Sequence, residues 1–239
     1  MATRKNSRSA ISTDNFAERI LDLVGSIPST TERVANDPKA RAKEIARKAA
    51  GKAGATSGAM ALPPGVLGWM TILPELFTLW KIQTQMVADI AGAYGKRKLL
   101  SREQMLYCLF NHTAAQAVGG LLVRIGERYV VRRAPIGTLY SIANKIALRV
   151  AQRSLRRGIF RWLPIAGALG VGAFAYADTG TVADAAIEVF SRDMVIEGEA
   201  EVEGMRYAQA AERKKSTRTK SVADKRAPAK RKPRRTTST

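Results

Sequence analysis

Residues 53–74 read AGATSGAMALPPGVLGWMTILP and residues 162–177 read WLPIAGALGVGAFAYA, two uncharged blocks in a chain of 239 residues with a formal net charge of +20. How these blocks are housed decides the fold. A bilayer-spanning helix needs about 20 consecutive apolar residues, with a lower limit of about 17. The first block is long enough, but Gly54, Thr56, Ser57, Gly58, Pro63, Pro64, Gly65 and Gly68 divide it into two short pieces. Adjacent prolines remove backbone donors and bend a helix. The second block has 16 uncharged residues, with Pro164 near its start. Buried core helices are the first expectation, hairpins dipping into one leaflet the second and true spans the third. Either of the first two assigns Pro63, Pro64, Trp69, Trp162, Pro164, Gly167, Gly170 and Gly172 to helix packing or membrane insertion. Trp69, Trp80 and Trp162 suit a headgroup layer or a helix core equally well.

Outward from these blocks the apolar period is helical nearly everywhere, with no alternating strand bounded by turn residues. The expected class is all-α: one multi-helix domain with two short Pro/Gly-interrupted apolar helical hairpins and disordered termini. A first helix is expected from residue 13 or 14 to Gly25, ended by Pro28. A second begins at Asp37 and Pro38, an N-cap followed by proline at the first helical position. Its charged face includes Lys43, Arg47 and Lys48. A long helix from about residue 72 to 94, apolar on most of its circumference, ends at Gly95 and is expected to be central. Ser101 and Gln104 form a capping box. The helix they open carries Leu106, Phe110, Ala114, Ala117, Leu121 and Ile125 and is bounded by Pro135, with Gly119 and Gly120 allowing close approach of another helix. A further amphipathic helix over about 138–157 repeats Lys145, Arg149, Arg153 and Arg156 at successive turns.

Charge is unevenly distributed. Residues 213–239 hold twelve Lys/Arg against Asp224 alone, and a stretch so poor in large apolar groups cannot offset its ordering entropy by burial. The expected organisation is a polar segment with a short amphipathic helix over 1–34, a helical domain over 35–195, an acidic helical extension over 196–212 and a disordered basic tail over 213–239. Residues 96–161 carry fourteen Lys/Arg and two Glu, whereas residues 178–212 carry nine acids and two Arg. Mutual neutralisation on folding and a basic surface for phosphate or anionic lipid are both open. The single Cys108 excludes an internal disulfide framework and fits a reducing compartment. The N-terminal residues contain no apolar run of signal-peptide length, so a cytoplasmic location is expected.

Tests for chemistry return nothing. Glu75 and Asp89 lie fourteen residues apart on one helix, roughly 21 Å along its axis, whereas cooperating carboxylates at a glycosidic bond sit about 5 to 9.5 Å apart. Each reads instead as a buried polar anchor to a neighbouring helix. Cys108 and His112 share a helix face, but two ligands do not make a catalytic zinc site, and a nucleophile would need an orienting third group. The glycines at 167, 170 and 172 have the wrong order for a dinucleotide loop, and no Walker A sequence occurs. The pairs Ala166/Gly170 and Ala168/Gly172 place small residues one turn apart, as close helix packing requires. No catalytic residue, metal ligand or cofactor is expected.

The order and content of residues 35–195 resemble the EcsC protein family. The resemblance rests on KAGATSG (52–58) before a Pro/Gly break, LPEL (73–76), QMVADIAGAYG (85–95), Asn144 with Lys145, and above all WLPIAGALGVGAFAYADTGTVADAAIEVF (162–190). In the last, Pro164, Gly167 and Gly170 precede Asp178, a Thr179/Thr181 turn and a closing helix that ends in Phe190. The resemblance implies an α-helical domain, with some bacterial members encoded beside ABC transporter components and no established catalytic set.

Two function classes follow. One is a non-enzymatic protein peripheral to the inner face of the cell membrane, held by apolar half-hairpins and by Lys145, Arg149, Arg153 and Arg156 against anionic lipid, or bound to a membrane protein complex supporting transport or a stress response. The other is non-specific association with DNA or RNA through Lys230, Arg231, Lys232, Arg234, Arg235 and the rest of the tail. The small-residue pairs also permit a homo-oligomer.

Overall fold

The computed structural model describes residues 13–60, 68–157 and 164–197. The chain divides at residue 196, and every described residue except Glu197 lies in the first unit, residues 1–196. That unit is mostly helical, as its apolar period requires. Its helices are α1 (Thr13–Gly25), α2 (Pro38–Met60), α3 (Gly68–Ala93), α4 (Arg102–Val118), α5 (Ile136–Arg157) and α6 (Pro164–Ser191). Among the described residues, no helix is long and apolar enough to cross a membrane.

Local signals fix several helix ends. The Asp37 carboxylate accepts from the Ala40 amide at 3.0 Å, capping α2. Past α3, Gly95 takes φ +71°, and the amides of Lys96 and Gly95 return to the carbonyls of Ala91 and Gly92 at 2.8 and 2.9 Å. This 6→1 and 5→2 pair satisfies carbonyls that the helix leaves open. At α4 the capping box is complete: the Gln104 amide donates to Ser101 Oγ at 3.4 Å, and the Ser101 amide donates to Gln104 Oε1 at 2.8 Å.

The N-terminal segment contributes more than a polar extension. Phe16, Ala17, Ile20, Leu23 and Val24 recur at helical spacing along α1 and are all buried, so α1 belongs to the core. It packs chiefly on α5. Phe16 also joins Phe77, Trp80 and Phe110 in an aromatic cluster with centroid separations of 5.1 to 5.9 Å. Trp80 is therefore a core residue.

The helix expected to run from Ser101 towards Pro135 stops at Val118. Gly119 caps it, so the glycine pair provides an exit rather than a helix contact. Leu121 lies in the turn that follows, and β1 (Leu122–Ile125) pairs antiparallel with β2 (Arg128–Val131). Gly126, at φ +61°, occupies the first central position of the two-residue turn between them. A third strand, β3 (Asp193–Ile196), pairs parallel with β2 to complete a small sheet in the order β1-β2-β3. Residue 196, expected to open an acidic helix, thus ends a strand.

The block over 162–177 was expected to form a hairpin of its own. From Pro164 onward it is instead the first part of one 28-residue helix. The Thr179/Thr181 turn is likewise absent. The Thr181 hydroxyl donates to the Ala177 carbonyl at 3.2 Å and the Thr179 hydroxyl accepts from Gln83 at 3.2 Å. Neither hydroxyl is left to compete with the helix backbone.

The two uncharged blocks are partners. An added Cβ on Gly172 would lie 2.8 Å from the Gly54 carbonyl oxygen, and one on Gly54 would lie 3.0 Å from the Gly172 carbonyl oxygen. Helices α2 and α6 cross there backbone to backbone, with Ala53 and Ser57 of α2 and Ala175 of α6 buried nearby. Gly170 meets nothing within 4 Å, so only Gly172 of the expected small-residue pairs is shown in close contact.

Candidate functional site

Three helices converge on a buried polar cluster. Asp178 of α6 accepts from Gln83 Nε2 of α3 at 2.9 Å through Oδ2, and its Oδ1 lies 2.9 Å from His112 Nε2 of α4. A carboxylate only accepts, so Nε2 is the protonated ring nitrogen whether the imidazole is neutral or charged. Gln83 and Thr179 are fully buried. Gln83 Oε1 and His112 Nδ1 are buried without a hydrogen-bond partner among the described residues.

Beside the cluster lies a cavity of about 60 Å³ bordered by His112, Asp178, Thr113, Trp80, Phe110 and Phe174. Substrate pockets measure roughly 300–1,000 Å³, whereas a water occupies about 30 Å³. The space suits a water or two, and the cluster is read as a polar rivet joining α3, α4 and α6. Among the described residues, no group of three or more His, Cys, Asp or Glu is placed to hold a metal ion.

Cys108 lies on α4 one turn before His112 and is fully buried. Burial pushes its thiol from an ordinary value of 9.0 up to about 12, so the nucleophilic thiolate is suppressed near neutral pH. The unfolded thiol loses its proton above about 9 while the folded one keeps it. Stability from this group is thus full below about 9 and declines as pH rises towards about 12. The loss of stability in urea between pH 8 and pH 10.5 is expected to be smaller in Cys108→Ala than in the wild type. Equal losses would show that the thiol is not held this way.

Contacts between helices define a second feature. Gly54 lies against Gly172 and Tyr176 while Gly58 lies against Gly172, which sets α2 antiparallel to α6, and Gln83 opposite Asp178 with Lys96 opposite the Arg192 carbonyl sets α3 parallel to α6. His112 with Asp178 and Gln104 with Met194 set α4 antiparallel to α6. Arg149 donating to Gln116 at 2.7 Å, and the Ala134 amide to Glu103 at 3.3 Å, set α5 parallel to α4. The end of α2, the start of α3, the end of α5 and the start of α6 therefore lie at one pole of the bundle. These ends flank ALPPGVL (61–67) and GIFRWL (158–163). Leu148, Leu169, Phe174 and Tyr176, in the halves of α5 and α6 nearer this pole, are exposed.

The expected site residues divide accordingly. On α5, Lys145 is exposed and Arg149 half-buried, while Arg153 and Arg156 lie on the last turns, where only the backbone is described. Backbone alone is likewise described for Trp69, Pro164 and Gly167. Pro63, Pro64, Trp162, Lys230, Arg231, Lys232, Arg234 and Arg235 lie outside the described residues. The basic and acidic segments do meet: Arg192 pairs with Glu127 at 2.8 Å, and Arg124 approaches Glu188 at 3.8 Å. Asp89, expected to anchor a neighbouring helix, accepts from Gln85 of its own helix at 2.9 Å. Gln83 is the α3 residue that reaches across, and its signal in the sequence was a lone amide on an apolar helix face. Compared with known proteins, the chain matches no family model, no curated protein and no solved structure.

Proposed function

We propose that this chain is a non-enzymatic, EcsC-like protein that attaches peripherally to the inner face of the cell membrane, in support of a transporter or stress-related complex. The observation that carries this reading is the convergence at one pole of the helix ends flanking both apolar segments, beside exposed Leu148, Leu169, Phe174 and Tyr176. The same half of α5 bears Arg149, Arg153 and Arg156, and Lys145 lies one turn before Arg149. Each Lys or Arg close to an anionic surface contributes about 1 kcal/mol, and a basic patch combined with apolar insertion gives firm yet reversible attachment. The cavity beside His112 is too small to support an enzymatic reading in its place.

Co-sedimentation with phosphatidylglycerol-containing and purely phosphatidylcholine vesicles tests the proposal. The full chain and a truncation at residue 212 are both expected to pellet with anionic vesicles. Replacing Leu169 and Phe174 with Ser and reversing Lys145 and Arg149 are expected to reduce binding about tenfold or more, as a few kcal/mol implies. A truncation that no longer binds, together with duplex DNA stripping the full chain from vesicles, would shift the assignment to polyanion binding by the tail. For that mode, twelve tail cations set a limiting salt slope of about −11.

A further inference from the structure

A groove of about 600 Å³ runs between α2 and α3, within the range of roughly 300–1,000 Å³ that holds small ligands. Ile45, Ala49, Ile82 and Met86 form its apolar floor. Its charged rim is asymmetric. At the end towards the start of α2, Arg41 is bound to Glu32 at 2.6 Å and to Glu44 at 2.7 Å, and Lys48 is bound to Glu44 at 2.7 Å. Those cations are neutralised within the fold. Lys52 of α2 and Lys81 of α3 both line the groove, exposed and without an ion pair among the described residues. Thr56 lines the same stretch, whereas the Thr78 hydroxyl is committed to the Pro74 carbonyl at 2.8 Å.

We propose that this groove binds a single-chain phospholipid, with its phosphate between Lys52 and Lys81 and its acyl chain along the Ile45–Met86 floor. Charge complementarity selects the head: two lysines act as point charges for a phosphate, Glu32 and Glu44 are occupied by Arg41 and Lys48, and Asp89, two turns along α3 from Lys81, accepts from Gln85. The apolar floor selects a chain in preference to a free anion. The site involves other residues than the membrane-facing pole and goes beyond that reading.

Calorimetric titration of the full chain with oleoyl lysophosphatidate at monomeric concentration tests the proposal, with monoolein and inorganic phosphate as comparison ligands. Saturable binding of one lysophosphatidate per chain is expected, with monoolein and inorganic phosphate each far weaker. Lys52→Glu combined with Lys81→Glu, both at exposed positions, is expected to weaken it about a hundredfold, since a hydrogen bond to a charged group contributes about tenfold. Reversal of the outward Lys43 and Arg47 is expected to leave binding unchanged. Ala49→Phe, which fills the floor, is expected to abolish binding, with circular dichroism confirming the fold. Equal affinity for monoolein, equal affinity for inorganic phosphate, or indifference to the Lys52/Lys81 reversal would overturn the proposal. So would uptake of an acidic amphipathic peptide with none of the lipid. The same double variant should pellet with anionic vesicles like the wild type, so failure of vesicle binding and failure of the groove are separate results.

Discussion

Gly172→Leu is expected to destabilise the protein by about 3 kcal/mol, the upper end of the usual cost of overpacking, and to lower the urea midpoint accordingly. An added Cβ at this position would lie 2.8 Å from a backbone oxygen of α2, and 3.6 Å from the Gly58 Cα. Neither obstacle is the flexible end of a side chain, so relief requires two helices to separate along their shared face. Gly170, two residues earlier on the same helix, is the control. It meets nothing within 4 Å, and Gly170→Ala is expected to stabilise by about 0.5–1 kcal/mol through the lost flexibility of the unfolded chain. Opposite signs from two glycines two residues apart would be difficult to obtain without the α2–α6 contact. If both substitutions prove neutral, that contact is wrong.

Asp178→Ala is expected to cost about 2–3 kcal/mol. Removing one member of a buried pair costs about 3–5 kcal/mol. Here the Asp178 and His112 side chains retain 13% and 22% of their exposure, and solvent access lowers that figure. The loss falls on three helices together, because the Gln83 amide and the His112 ring are left facing one another's donors. A double-mutant cycle in urea with His112→Ala is expected to return a coupling of about 1–2 kcal/mol. Additive single effects would mean that the carboxylate and the imidazole do not support each other, and the cluster would then lose its standing as a rivet.

The legible parts of the fold are those with local causes. The C-terminal end of α1, the Asp37 cap, the Gly95 exit from α3 and the Ser101/Gln104 box each depend on residues within a few positions of one another, and each is legible in the sequence. The small sheet was missed because Leu121 and Ile125 continue the four-residue spacing of α4. That coincidence hid the Val-Arg-Ile-Gly-Glu-Arg-Tyr-Val-Val alternation about Gly126. Pairing of β2 with β3 joins residues such as Arg128 and Asp193, and no local pattern specifies so distant a partner. The polar cluster was illegible for the same reason. Asp178 stands out as the first charge after a long uncharged run and Gln83 as a lone amide, yet they lie 95 residues apart, and His112 was weighed only against its helix neighbour Cys108. In α6, threonine was read as turn chemistry, but Gln83 and the Ala177 carbonyl engage those hydroxyls and leave the helix intact.

The contact between Gly54 and Gly172 also bears on how the chain acquires its structure during synthesis. Helix α2 leaves the ribosome early and finds α3 at once, but its glycine-lined face has no permanent cover until α6 has been made. The parallel ladder between β2 and β3 waits still longer, because Ile196 must emerge before it can close. Long-range closures of this kind incur their entropy before any contact rewards it. Until α6 has been made, the nascent protein therefore carries a bare helix surface, the kind of exposed area on which chaperones act and off-pathway association begins.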